Sequence, residues 1–215
     1  MKKLFVFIAL LAAMTLTGCA KKTPYDYSEF RASKPASILV LPAENKSPDI
    51  KAAHSFASLV TLPLAESGYY VFPVAVVEET FKQNGLTNAT DIRSVPTAKL
   101  HEIFNADAAL YIDISDYGTK YMIVDSETRV SATARLVDLR SGKQIWSGSA
   151  TASDNEGNNN NQSLLGMLVA AAVNQIASNI TDKAHDVAAI TSARLLMAEG
   201  DGDILPGPRA KAAKL

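Results

Sequence analysis

Met122 to Leu136, MIVDSETRVSATARL, carries the clearest structural signal in this chain. Met122, Val124, Ser126, Thr128, Val130, Ala132, Ala134 and Leu136 alternate with Asp125, Glu127, Arg129, Ser131, Thr133 and Arg135. A period of two sends one set into a core and the other into water, so the stretch reads as a long strand with one wet face. Upstream, Ala108, Leu110, Ile112 and Ile114 share a face opposite Tyr111, Asp113 and Ser115, a second strand closed by a turn at Asp116-Tyr-Gly-Thr119. Downstream, Asp138 to Gly142 supplies a hairpin loop, and Gln144 to Ala152, with Trp146, returns as the partner strand.

The preceding residues carry a different signal. Ser37 to Pro42 (SILVLP) is a short apolar run with the character of a buried strand. Ser47-Pro48-Asp49 then offers a hydroxyl cap, a proline and an acid for a helix start, and Ile50, Ala53, Ala57, Val60 and Leu64 mark its inner face. Pro63 should kink that helix and Gly68 should end it. Tyr69 to Phe72 reads as a strand, and strand, helix and strand with short connections favour a parallel crossover. Pro73 opens a second helix on Val74, Val77 and Phe81, closed at Asn84-Gly85; after a polar loop, Pro96 to Phe104 forms a third with Leu100, Ile103 and Phe104 inward.

Beyond Asp154 to Gln162 (DNEGNNNNQ), a polar connector, a long helix is expected from Ser163, striped by Leu165, Leu168, Val169, Ala172, Val173, Ile176, Ile180 and Val187. The fold class is therefore α/β: one domain with a mixed parallel and antiparallel sheet, flanking helices and a long C-terminal helix. Its expected organisation is a leader at 1–18, an anchor and tether at 19–35, the α/β domain at 36–199 and a loosely held tail at 200–215.

Met1-Lys2-Lys3 followed by the apolar run Leu4 to Leu16 is a signal peptide, too short for the roughly 20 apolar residues of a membrane span. Leu16-Thr-Gly-Cys19 resembles a bacterial lipobox, which implies that Cys19 becomes the first mature residue and carries acyl chains of the palmitate class. An ordinary secretory signal with Cys19 as an incidental thiol is the competing reading. Several acyl chains hold firmly, since each buried methylene contributes about 0.8 kcal/mol and one chain alone holds only marginally. Cys19 is the only cysteine, so once acylated the chain has none left for a disulfide, a thiolate metal site or a nucleophile. Ala20, rather than an aspartate, follows it and favours the outer membrane, periplasmic face, with surface exposure also open.

Loss of Lys2 and Lys3 with the leader leaves 19 basic against 22 acidic residues, which gives no invitation to nucleic acid. The three histidines, His54, His101 and His185, show no metal-ligand spacing, and Asp107, Asp113, Asp116 and Asp125 read as sheet decoration. Gly142, Gly148 and Gly157 are isolated, and no phosphate loop or nucleophile elbow is present. Gly166 and Ala170 have the spacing of a helix-pairing face, although a core helix explains them as well. No catalytic, cofactor-binding or metal residue can be named; the one site residue is Cys19, for lipidation.

The stretches ILVLPAEN (38–45), NADAALYIDISDYGTKY (105–121), ARLVDLRSGKQIWSGSA (134–150) and LPGPR (205–209) resemble a family of bacterial lipoproteins, domain of unknown function seven hundred and ninety-nine, known through a neisserial vaccine-candidate antigen. More distantly, the first strand ending in proline and the VDLRSGKQIW hairpin are similar to the outer-membrane lipoprotein that exports curli subunits, to the amino-terminal domain of TolB, and to the lipoprotein activator of a peptidoglycan synthase. These resemblances imply a non-enzymatic scaffold or accessory factor for an envelope export or assembly complex. Its partners would be the outer membrane through the anchor, other envelope lipoproteins such as a curli-exporter-like one, and further copies of itself in a homo-oligomer, with no cofactor. Regulation of a peptidoglycan-synthesising enzyme is the alternative. The open edge of the hairpin spanning Tyr121 to Thr151 is the expected contact surface, by strand addition or pairing with a second copy.

Overall fold

The computed structural model describes residues 24–121, 126–156 and 182–210. In chain order it contains α1 (Ser28–Ser33), β1 (Ser37–Val40), β2 (Glu44–Asn45), α2 (Ala52–Leu59), α3 (Thr61–Glu66), β3 (Tyr70–Val71), α4 (Val74–Gln83), α5 (Ala89–Arg93), α6 (Thr97–Phe104), β4 (Ala108–Tyr121), β5 (Ser126–Asp138), β6 (Gln144–Ser153) and α7 (Lys183–Leu196). The sheet runs β3-β1-β4-β5-β6, and β2 pairs with β4 off that path. β1 is parallel to β3 and β4, whereas β4, β5 and β6 are antiparallel, as the two periodicities predict. The α/β class with a mixed sheet is what the sequence leads one to expect.

Two cores lie on opposite faces of this sheet. On one, Ile38, Leu110, Ile112, Ile114, Val130, Leu136 and Trp146 meet Phe56 of α2, Leu64 of α3 and Val187, Ile190 and Leu195 of α7. On the other, Leu39, Leu41, Ala109, Tyr111 and Val137 meet Val77 and Phe81 of α4, Ile92 of α5 and Leu100 of α6. Parallel strands carry helices on both faces because their crossovers put them there.

Several expectations are corrected. The turn at Asp116–Thr119 does not exist: β4 runs on to Tyr121 through a bulge between Ile114 and Asp116. One extra residue shifts the alternation, so Tyr117, not Asp116, joins the core face opposite Val130, and Gly118 holds φ +111° inside the strand, a value that only glycine adopts readily. Tyr111, expected to be wet, is buried by the second core. The helix after β1 is two helices broken at Val60, and its inner face is Ala52, Phe56, Val60 and Leu64; Ile50 lies 88% exposed. Its entry is fastened by Asp49, whose carboxylate accepts from the Lys51 N–H, not by Ser47. Pro63 sits in the first turn of α3, where its missing N–H costs nothing. Ile103 points outward, and the polar loop before α6 contains α5, capped by Asn88 accepting from the Asp91 N–H.

The described residues of both terminal segments are packed. Residues placed in the tether are packed from Tyr25 onward: α1 lies against β6, and Tyr27 and Phe30 are buried in the first core. Residues expected as a tail are fastened as well. Ile204 is 1% exposed, Trp146 Nε1 donates to the Gly202 carbonyl, and the Tyr27 and Tyr69 hydroxyls donate to the carbonyls of Asp203 and Leu205. Ring-bearing residues with a hydroxyl or N–H find both apolar cover and a backbone acceptor here, which composition by itself does not reveal. Gly148 lets the Trp146 ring lie flat on β6, since an added Cβ would come within 2.5 Å of it. Of the long helix, the stripe from Leu165 to Ile180, with Gly166 and Ala170, lies outside the described residues, as does Asp125; Val187 is buried in α7 as expected.

Ile204→Ala leaves a cavity against this clamp and is expected to destabilise the protein by about 2–5 kcal/mol. Urea unfolding followed by the emission of Trp146, the sole tryptophan, measures it; an unchanged midpoint would mean that the tail does not contribute to the fold.

Candidate functional site

The second core stops halfway across the sheet. Among the described residues nothing covers the antiparallel part of that face, formed by the second half of β4 with β5 and β6. Its exposed surface is polar: Ser115, Ser131, Thr133, Arg135, Ser149 and Thr151 lie on it, with Asp113 at its inner border. Ser131 and Thr151, directly opposite on β5 and β6, are joined between Oγ and Oγ1 at 2.9 Å. A shallow depression is lined by Asp113, Thr133, Arg135, Gln144, Ser147 and Ser149.

Charges on this face neutralise one another. Arg93, at the end of α5 with a side chain only 9% exposed, donates to the Ile112 carbonyl at 2.5 Å and to Asp113 Oδ2 at 3.0 Å. Lys46 reaches Asp113 at 3.3 Å, Lys120 pairs with Asp116 at 2.5 Å, and Arg129 with Glu127 at 2.9 Å. Arg135 instead lies 4.0 Å over the Tyr111 ring, and Arg93 approaches that ring at 5.6 Å. Burial pushes the Asp113 carboxyl up, but the Arg93 hydrogen bond and charge, with those of Lys46, outweigh it and hold the group below its ordinary value. Burial raises the Tyr111 hydroxyl, against the pull of Arg135 and Arg93.

The expected open edge of β6 is partly blocked instead. The Asp154 N–H donates to the Thr128 carbonyl, so even-numbered residues of β6 bond inward and Ser147, Ser149, Thr151 and Ser153 turn their backbone groups outward. Three of those groups are taken: Ser147 N–H by the Tyr25 hydroxyl at 2.9 Å, the Thr151 carbonyl by Arg194 at 2.8 Å, and Ser153 N–H by Glu156 at 3.1 Å. Arg194 and Glu156 also pair at 2.6 Å. Edges blocked in this way resist strand addition. Among the described residues, the face is the part of the antiparallel sheet that stays uncovered.

The carboxylates singled out by sequence are not brought together. Asp107 accepts from the N–H groups of Ala36 and Ser37 and from Arg140, Asp113 serves Arg93, and Asp116 serves Lys120. His54 is exposed, and His101 Nδ1 meets the Ala106 carbonyl at 2.8 Å. His185 Nδ1 lies 2.7 Å from Ser55 Oγ, which accepts from the Tyr117 hydroxyl at 2.6 Å, a pairing that a sequence separation of 130 hid from sequence reasoning. It ties α7, α2 and β4 together. A hydrolytic dyad needs a group that orients the imidazole, whereas the nearby Asp182 carboxylate accepts from the His185 backbone N–H. No group of three or more potential metal ligands occurs among the described residues, and no described helix is long and apolar enough to cross a membrane. Cys19 lies outside the described residues.

Residues 25–209 match the family model described as "Putative lipoprotein GNA1162-like". The chain belongs to the GNA1162-like family. It is 51% identical over 209 residues to a "Putative lipoprotein" of Neisseria meningitidis serogroup B, covering 97% of each chain. The crystal structure of lipoprotein GNA1162 from Neisseria meningitidis is similar to it at 59% identity and TM-score 0.55, over 67% of this chain and all of that one, and shares the mixed α/β architecture. A PelC dodecamer from Paraburkholderia phytofirmans is a remoter neighbour, at 19% identity and TM-score 0.41 over 61% of this chain and 78% of that one.

Arg93→Met strands the Ile112 carbonyl and leaves Asp113 with Lys46 alone, and the expected loss is about 1–3 kcal/mol at neutral pH. Because the folded Asp113 is held below its unfolded value, its contribution is present above that value and lost as pH falls through the folded one. The stability gap between wild type and variant should therefore narrow below about pH 4. Denaturant midpoints at pH 7 and pH 3 measure it; a gap that does not change with pH would contradict the assigned pairing.

Proposed function

We propose that this GNA1162-like protein is a lipid-anchored, non-enzymatic accessory factor of the cell envelope, held through acylated Cys19 to the periplasmic leaflet of the outer membrane. There it presents the uncovered face of β4–β5–β6 to a protein partner in an export or assembly complex. Membership of a lipoprotein family supports the anchor, as does the Leu-Thr-Gly-Cys19 stretch, and Ala20 supports the outer membrane. The observation that carries the binding role is a polar sheet face that is open among the described residues, beside an edge that is partly blocked. Such a surface offers hydroxyls and paired charges, the composition of a specific, wet contact rather than a core.

Reach supports the same reading. Packing against the core begins at Tyr25, so residues 19–24 can span at most about 22 Å from the leaflet. The body then works close to the membrane, alongside other anchored proteins. Activation of a cell-wall synthase across the periplasm asks for a longer arm, which makes the regulator reading the weaker one.

Cells fed an alkyne fatty acid should label the wild type and not Cys19→Ala, and the variant should leave the membrane fraction. A photo-crosslinking amino acid at Ser149 should trap an envelope protein, whereas one at Glu79, on the exposed side of α4, should not. An unlabelled wild type would remove the anchor, and identical crosslinks from both positions would remove the surface.

A further inference from the structure

We infer that Arg135 is the anchor for a side-chain carboxylate of an acidic segment of the partner, laid across β5 and β6. This rests on the reading that the open face is the partner surface, and it names the chemistry that the surface recognises.

Arg135 differs from the other charged groups of the face. Asp113, Asp116 and Glu127 each have a cation, whereas Arg135 is exposed and has no carboxylate partner among the described residues. Its guanidinium is not free to wander, because it is stacked 4.0 Å over Tyr111, itself 3% exposed and fixed in the second core. Stacking uses the flat face of a guanidinium and leaves its in-plane N–H donors available, the geometry that takes a carboxylate in a two-pronged bond. Less ordering entropy is then lost on binding.

The surroundings favour an anion of one kind. Ser147 lies directly opposite Arg135 on β6, and Thr133 opposite Ser149, so hydroxyl donors flank the guanidinium along both strands. Lys46, Arg93 and Arg135 stand against Glu44 and Asp113, one positive charge in excess, in a chain whose formal net charge is −1. A phosphate dianion would call for a second free cation, but Arg93 and Lys46 are both committed to Asp113. One available arginine among hydroxyls, in an open and shallow depression, fits a single carboxylate carried on an extended segment.

The test uses the full acylated protein in detergent micelles and fluorescein-labelled hexaglutamate, read by anisotropy. Saturable binding is expected, weakened about tenfold by Arg135→Gln and only partly restored by Arg135→Lys, which keeps the charge but not the fork. Lys82→Gln, an equal loss of charge on α4, should bind as wild type. The inference is overturned if Arg135→Gln binds normally or falls no further than Lys82→Gln, and equally if inorganic phosphate at the same concentration displaces the peptide, which would make the ligand a free phosphate. Thermal unfolding of each variant separates lost binding from lost structure, and Arg135→Lys decides the matter should Arg135→Gln not fold. In cells, a Ser149 crosslink that persists undiminished in Arg135→Gln sinks the anchor and leaves the surface standing; absence of any such crosslink sinks the surface, while the hexaglutamate titration still judges Arg135.

Discussion

β4 is hydrogen-bonded along both of its sides, to β1 and β2 in parallel on one and to β5 antiparallel on the other, and every other element is arranged around that fact. Its first residues, Ala108 to Ile112, belong to the parallel part and need helices on both faces; α2, α3 and α7 cover one and α4, α5 and α6 the other. Beyond the bulge after Ile114 only one face is packed among the described residues. The position where β4 passes from doubly to singly covered is where Arg93 reaches from α5 to the Ile112 carbonyl and Asp113. A buried cation at that boundary closes the second core and opens the polar surface beside it.

The chain ends complete what β4 begins. Tyr25, Tyr27 and Phe30 arrive from the N-terminal side and Gly202 to Leu205 from the C-terminal side, and both converge on Trp146 and the outer edge of β6. Hydroxyl and indole groups satisfy backbone partners while their rings fill the core, so ordering these segments gains apolar burial without stranding polar atoms. A β6 edge that might otherwise recruit strands is blunted at Ser147, Thr151 and Ser153. What the described residues leave uncovered is the polar face of β4, β5 and β6.

Strands with strong alternation were legible: β5 and β6, the hairpin at Asp138–Gly142, and the first half of β4 need only a period of two and a turn. Helices α4 and α6 were also legible, from a proline at the start and an apolar stripe. The second half of β4 was not, because Asp-Tyr-Gly-Thr has turn composition and a bulge resets the phase of alternation. The stripe of α2 was misassigned to Ile50, Ala53 and Ala57 because two four-residue ladders overlap there, and only packing selects Ala52 and Phe56. Arg135 was correctly placed on the wet face, but nothing local shows that Tyr111, across the ladder, would hold its guanidinium.

The order of residues alone determined the mixed sheet and the wet side of β5, because each follows from local periodicity. Tertiary structure decided the rest: that Tyr25 to Phe30 and Gly202 to Leu205 are packed against the sheet, that the β6 edge is partly blocked, that Ser55 meets His185, and that Arg135 lies over Tyr111. Those outcomes depend on which distant side chains compete for the same volume and the same hydrogen-bonding groups, and that competition is settled only when the chain is folded.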